Sequence, residues 1–571
     1  MIKRIYFLLI LFSISIHLWS AEYNGRYGWP IQKQPKGIIV CKPSKDIAEE
    51  MLLESLSGLA AKAVNEEKFD EMIWIETENK AYQKIFQSTL SVLKISNVKE
   101  MDLWSLVDYL TKQKVVNGYI LYKLDKNLDR KMISDYSCNV ATVYASLLSG
   151  VIIDESLVKQ AKFHNLKQLK DVRGESLEEC FEKNKNKLNN CSALSIHPLV
   201  TNMRDYAIAH KLMLYTDKKA LIEKVLKWVT PMSPILGWGC GDEYDFTSLI
   251  SEWGHYNTAT DWCLNLPLIS SVSDKVVLKK ANEKTLEEID FRDTSSFHSF
   301  VMSDGDNMQW IIGEFADSKR YAGNDGISNT GISWTLCPIN LSIISPFTWN
   351  ELAEKQCSRN SFIEYGGGYQ YPDLFAIKRP NRKELLRAFA QRINYHLQKM
   401  DIKVFGFICR NVKSKASQEA FQIYAEELKG ITGMLAVQYF PYELGGNIMW
   451  FKNSQGIDIP VSTATYSLWD EVNLKRPNCG TPEYISSLIN REVIASKQKS
   501  ALSWTIAHAW SDFTKSSRIT KSPAIGFNPV KATESLLSER IKTVSANELL
   551  WRIRMKYRPE QTRNLIKKPV D

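Results

Sequence analysis

From residue 233 to residue 512, short apolar runs repeatedly end in polar, reactive side chains. The runs are SPILGWGCGDEYD (233–245), LPLISS (266–271), FHSFVMSDGDN (297–307), ISWTLCP (332–338), VFGFICRN (404–411), MLAVQYFPYE (434–443), STATYSLWDE (462–471) and LSWTIAHAWSD (502–512). Helical patterns separate several of them. Asn381 and Glu384 form a capping-box signature ahead of Leu385, Phe389, Ile393 and Leu397, which recur at helical spacing. A second pattern from Ala416 to Lys429 stops at Gly430, and a third opens with Thr481 and Pro482, a cap followed by proline at the first helical position. Eight β-like runs interleaved with helices predict an α/β chain whose C-terminal part is a TIM-like (β/α)8 barrel. An open doubly wound sheet is the alternative.

Upstream, KGIIVCKP (36–43), MIWIET (72–77), VNGYILYKLD (116–125) and GVIID (150–154) alternate with helical stretches, which implies smaller α/β units with parallel sheets. The division expected is 22–105 and 106–200 as accessory units, 201–289 as a third segment contributing to the barrel, 290–515 as the barrel, and 516–571 as a helical, basic tail. The polar stretch EKNKNKLNN (182–190) reads as a loop.

The first twenty residues read as a cleavable leader. Lys3 and Arg4 precede the apolar run Ile5 to Phe12, and Ser20-Ala21 suits cleavage. An exported protein without a membrane span is expected. The formal charge is +9, but seven basic residues lie between 552 and 571 against two acids, so the body is close to balance. That leaves no electrostatic footprint for nucleic acid. Ten cysteines contain no CxxC pair and no zinc spacing. Cys180 and Cys191, close across a polar stretch, are the candidate disulfide, while Cys41 and Cys409 lie in apolar runs and read as buried thiols.

In a barrel, sites form at the C-terminal ends of strands. Asp304 and Asp306 follow FVMS, and Arg410 and Asn411 follow FGFIC. Tyr439 and Glu443 follow LAV, Trp469 follows ATYSL, and His508, Trp510 and Asp512 follow LSWTIA. Asp242 and Glu243 follow LGWGC. Carboxylates interleaved with rings, Arg and Asn suit glycosidic cleavage, in which one carboxyl protonates the leaving oxygen and another attacks or activates water. Asp304 and Asp306 form one acidic arm, Glu443 the partner across the site and Asp512 the reserve. A carbohydrate is the expected partner, with no cofactor and no metal. SDGDN lacks the full calcium-loop spacing, although a metal-assisted hydrolase or deacetylase and a non-catalytic glycan binder stay open as alternatives. No GxSxG elbow, P-loop or dinucleotide fingerprint occurs.

The stretch EYGGGYQYPD (364–373) sets glycines beside Tyr369, Tyr371, Pro372 and Asp373. Glycine allows close backbone approach, and tyrosine offers a ring with a hydroxyl. Either a sugar-contacting loop or a tight turn with inward tyrosines follows. Gly366, Gly368, Tyr369, Tyr371 and Pro372 match all five fixed positions of the signature G-x-G-Y-x-Y-P. The chain therefore resembles the GxGYxYP family, designated glycoside hydrolases. That resemblance implies a multi-part N-terminal region before a C-terminal domain at about 290–515. It also implies secretion in Bacteroidetes-type bacteria, near carbohydrate-utilisation systems. It brings no established catalytic pair.

Overall fold

The computed structural model describes residues 27–125, 135–216, 219–239, 241–440, 442–470, 476–496 and 500–567. The leader at 1–20 lies outside them. Three small parallel sheets come first. In one, Gly37–Cys41 lies between Glu71–Ile75 and Val98–Glu100. In the next, Tyr119–Tyr122 lies between Val151–Asp154 and Gln168–Asp171. The third runs Tyr256–Thr258, Pro234–Gly237, Ala193–Ser195, Met213–Tyr215. Their central strands are buried nearly throughout, which is why they read as unbroken apolar runs rather than alternating ones.

Helix Ile47–Asn65 is capped by Asp46, whose side chain accepts from the N–H groups of Ala48 and Glu49. It is buried nearly all round and packs against helix Arg204–His210. Gly58 makes that approach possible, since a Cβ there would lie 2.7 Å from the Asp205 carbonyl oxygen.

The large sheet has eleven strands: β1 Ser296–Met302, β2 Ile332–Trp334, β3 Asn360–Tyr365, β4 Val404–Cys409, β5 Gly433–Gln438, β6 Ile448–Lys452, β7 Asp458–Thr463, β8 Tyr466–Leu468, β9 Cys479–Gly480, β10 Leu502–Ala507 and β11 Ile541–Thr543. Strands β1 to β5 are parallel neighbours in chain order. Then β7 pairs with β5, while β8 pairs with β10 and β10 returns to β1. Only Ala464 and Thr465 separate β7 from β8, and the Thr465 N–H donates to the Trp504 carbonyl at 2.9 Å. One extended run thus serves both ends of the sheet and makes it curl as a half-barrel.

The strands differ from the eight-run barrel expected from the sequence. Pro234–Gly237 belongs to the separate four-stranded sheet, so among the described residues the 201–289 segment contributes no strand to the curl. LPLIS is a short helix, Leu266–Ser270, because the preceding Asn265 turns the chain at φ 52° and bonds Ile75 with both its amide atoms. Short apolar runs do not distinguish strand from helix. Strand β3, immediately before the glycine-rich stretch, is an addition to the expected set.

Asn381 stands at its helix start without a side-chain cap bond, whereas Ser414 and Thr481 cap theirs. The segment after 515 is not a loose tail: β11 pairs with β1, and helix Ala546–Tyr557 packs against β1 and β10. Cys180 and Cys191 both carry free thiols rather than a disulfide, and burial pushes each up to about 12. Among the described residues no helix is long and apolar enough to cross a membrane.

Trp504 on β10 is 1% exposed, and its indole N–H donates to Ser462 Oγ on β7 at 3.1 Å, spanning the curl where its ends meet. Trp504→Ala is expected to cost about 3–5 kcal/mol, read as a lower urea midpoint at unchanged slope. An unchanged midpoint would show that the curl does not depend on this ring.

Candidate active site

The ends of β1, β3, β4, β8 and β10 open on one cavity of about 480 Å³. Its floor is the turn after β1. Asp304 adopts a left-handed conformation at φ 67°, and Gly305 follows so tightly that a Cβ would lie 1.7 Å from the Thr335 carbonyl oxygen. Asn307 then caps the next helical turn through the Trp310 N–H. Backbone strain of this kind in a non-glycine residue collects at functional sites. Here it turns the carboxyls of Asp304 and Asp306 into the cavity.

Asp304 Oδ2 accepts from Ser303 Oγ and, at 3.4 Å, from the Ala509 N–H, and it stands 3.7 Å from His508 Nε2. His508 Nδ1 lies 2.9 Å from Ser511 Oγ. Asp306 is half-buried where it lines the cavity. That burial, and then the charges of Asp304 and Glu243, push its carboxyl up to about 8.

Glu243 stands opposite. It opens helix Glu243–Glu252, for which Asp242 is the cap through the Tyr244 N–H at 2.8 Å. Glu243 is an exposed residue on the rim of the cavity, yet the protein packed round its carboxyl raises its pKa, the Tyr369 hydroxyl opposes that rise by donating to it, and Asp304 adds to it. Asp261 and Trp262, also from the smaller unit, complete this side. Rings form the walls. Trp469 stacks on His508 at 3.7 Å and 8°, Tyr442 stacks on Trp469 at 4.4 Å, and Trp238 lies parallel to Tyr369 at 6.3 Å. Such faces suit the C–H surfaces of sugar rings.

Two backbone seams join the units here. Asn257 and Tyr369 exchange N–H···O bonds at 2.8 and 3.0 Å, and Ala259 pairs with Asn307.

The cavity gathers Asp304, Asp306, Glu243, Tyr369, Trp469, His508 and Trp510 of the residues expected from the sequence. The others stand elsewhere. Glu443 lies off the cavity near Arg476 and Cys479, because the left-handed Tyr442 (φ 70°) presents its own ring instead. Asp512 is exposed and closes a turn on the Thr514 N–H. Asp242 is an exposed cap. Asn411 is exposed as well, and its side chain accepts from the Lys413 N–H.

Arg410 lies over the Tyr244 ring at 3.4 Å and bonds Ser248, outside the lining, and Tyr439 packs against Tyr244 at 5.0 Å. Asp373 is a brace, accepting from the N–H groups of Arg410 and Asn411. Tyr371 is fully buried behind Tyr369, with the two hydroxyls 3.3 Å apart. The glycines carry the loop past neighbours rather than opening backbone to a ligand: Gly366 has φ 77°, and a Cβ on Gly368 (φ 120°) would lie 2.1 Å from the Tyr256 ring. Trp238, Asp261, Trp262, Gln309 and Tyr365 are lining residues absent from the sequence-based set. Tyr365 ends β3 and was detectable as the residue preceding the glycines.

Three domains of one family match: the "GxGYxYP_N second domain" over 116–188, the "GxGYxYP third domain" over 192–271 and the "GxGYxYP putative glycoside hydrolase C-terminal domain" over 296–522. The chain belongs to the GxGYxYP family. A crystal structure described as a putative hydrolase from Bacteroides thetaiotaomicron VPI-5482 is similar in fold. Its TM-score is 0.75 at 18% identity, over 92% of this chain and 96% of that one. No curated protein matches. The third matched domain supplies Trp238, Glu243, Asp261 and Trp262, so in this GxGYxYP chain the cavity is built from two of the family's domains.

Gly368→Ala is expected to cost about 2–4 kcal/mol through the φ and the Tyr256 clash. It should also displace Tyr369 from Glu243. Thermal unfolding together with tyrosine fluorescence checks both, and a wild-type melting temperature would contradict the packing role.

Proposed function

We propose that the cavity hydrolyses a glycosidic bond by carboxyl acid/base chemistry, with Asp306 as general acid and Asp304 as its partner. The observation that carries this reading is an Asp306 carboxyl raised to about 8 beside a second, firmly oriented carboxyl in a ring-walled cavity. Protonated at neutral pH, Asp306 can donate to the leaving oxygen. Asp304 is held by Ser303 and the Ala509 N–H and faces the His508 imidazole. It supplies the charge that attacks the anomeric carbon or activates water as positive charge develops on the sugar. Glu243 keeps Asp306 protonated by its charge and is itself aligned by Tyr369. Tyr442, Trp469 and Trp238 seat the sugar rings. The family description and the hydrolase-like fold support the class of reaction. Export by the 1–20 leader belongs to the same proposal.

The pH dependence has a definite sign. Asp306 is active as an acid below its folded pKa, so turnover falls as pH rises through about 8. Stability moves the same way. In the unfolded chain the group ionises near its ordinary 3.8, so folding takes up a proton between about 4 and 8 and stability is lost across that window as pH rises. Asp306→Asn is expected to lower kcat roughly 10²–10⁴-fold while melting no earlier than wild type at pH 8. Wild-type turnover in the variant on a cleaved oligosaccharide overturns the assignment. Turnover lost to a chelator and restored by a divalent cation would favour metal-assisted chemistry instead.

A further inference from the structure

The chain carries nine excess positive charges, yet none of the described residues lining this cavity is Lys or Arg. Four carboxyls line it instead: Glu243, Asp261, Asp304 and Asp306. The near guanidinium, Arg410, is turned away onto the Tyr244 ring and Ser248.

A second observation points to a ligand. Tyr365 is 3% exposed and lines the cavity, and its hydroxyl finds no hydrogen-bond partner among the described residues. Burial raises the Tyr365 pKa well above the ordinary phenol, and the charges of Asp306 and Asp304 add to that rise. A covered hydroxyl without a partner costs free energy unless a bound group supplies one. Beside these acids, a sugar hydroxyl or amine meets that need. A carboxylate or sulfate would accept from the phenol but would face several acids of its own sign, with no Lys or Arg among the described lining residues to balance them.

We infer that this cavity takes glycan segments free of negative charge, bearing hydroxyl or amino groups, and excludes uronate and sulfated sugars. The inference rests on the glycan reading of the same cavity. Trp262 and Trp510, 48% and 40% exposed, stand at its edge, where their faces accept either a neutral ring or a cationic amine.

The Asp306→Asn variant, blocked in turnover, is titrated calorimetrically with oligosaccharide backbones, each prepared in neutral, amino, uronate and sulfated forms. For every backbone that binds, the neutral or amino form is expected to bind roughly 100-fold tighter than its anionic forms. The gap should narrow with added salt. Asp261→Asn should narrow it too. Equal or tighter binding of uronate or sulfated forms overturns the inference, as does the absence of binding by every form. Wild-type enzyme on the same panel separates the two readings. Charge-selective binding without cleavage removes the hydrolase and keeps the charge preference. Cleavage of uronate chains keeps the hydrolase and removes the charge preference.

Discussion

Burial, with the charges of Asp304 and Glu243 added to it, holds the Asp306 carboxyl up to about 8, and the site is organised around that electrostatic constraint. Asp304 acts on both Asp306 and Glu243, and Glu243 acts on Asp306, each raising the carboxyl it acts on. Hydrogen bonds are distributed unevenly over the three groups. Donors converge on Asp304 and a phenol donates to Glu243, while Asp306 sits in the place where burial dominates. Raising Asp306 to about 8 also lowers stability as pH climbs above the ordinary carboxyl range.

Rigid backbone makes that arrangement hold. The left-handed Asp304 and the contact of Gly305 with Thr335 leave the turn after β1 little freedom, and the glycines at 366–368 thread Tyr369 past Tyr256 and Ile393. Behind them, buried Glu364 accepts from the N–H groups of Ile339 and Gly367, joining the glycine turn to the helix that follows β2. The curl brings β1, β3, β4, β8 and β10 to one rim, which gathers residues distant in the chain.

Much of this was legible in the sequence, for identifiable reasons. Apolar runs ending in polar residues marked β1, β2, β4, β5, β7–β8 and β10, and those ends delivered Asp304, Asp306, Trp469, His508 and Trp510. The signature delivered Tyr369. What the pattern could not carry was direction. Past a strand end, side chains follow loop dihedrals, so Tyr442 rather than Glu443 faces inward, and Asp512 spends its carboxylate on Thr514. Tyr371 alternates away from Tyr369 and is buried behind it. Trp238, Asp261 and Trp262 come from a sheet that the sequence pattern merged with the barrel; only the docking of that sheet reveals them.

The seams at Asn257–Tyr369 and Ala259–Asn307 have a consequence for how such a protein diversifies. Asp304 and Asp306 ride on the curled sheet, whereas Trp238, Glu243, Asp261 and Trp262 are borrowed from a neighbour attached through main-chain atoms. Main-chain pairing tolerates side-chain replacement. Trp238, Asp261 and Trp262 can therefore be exchanged, altering that wall of the cavity, while the turn at 304–306 beneath it keeps its backbone.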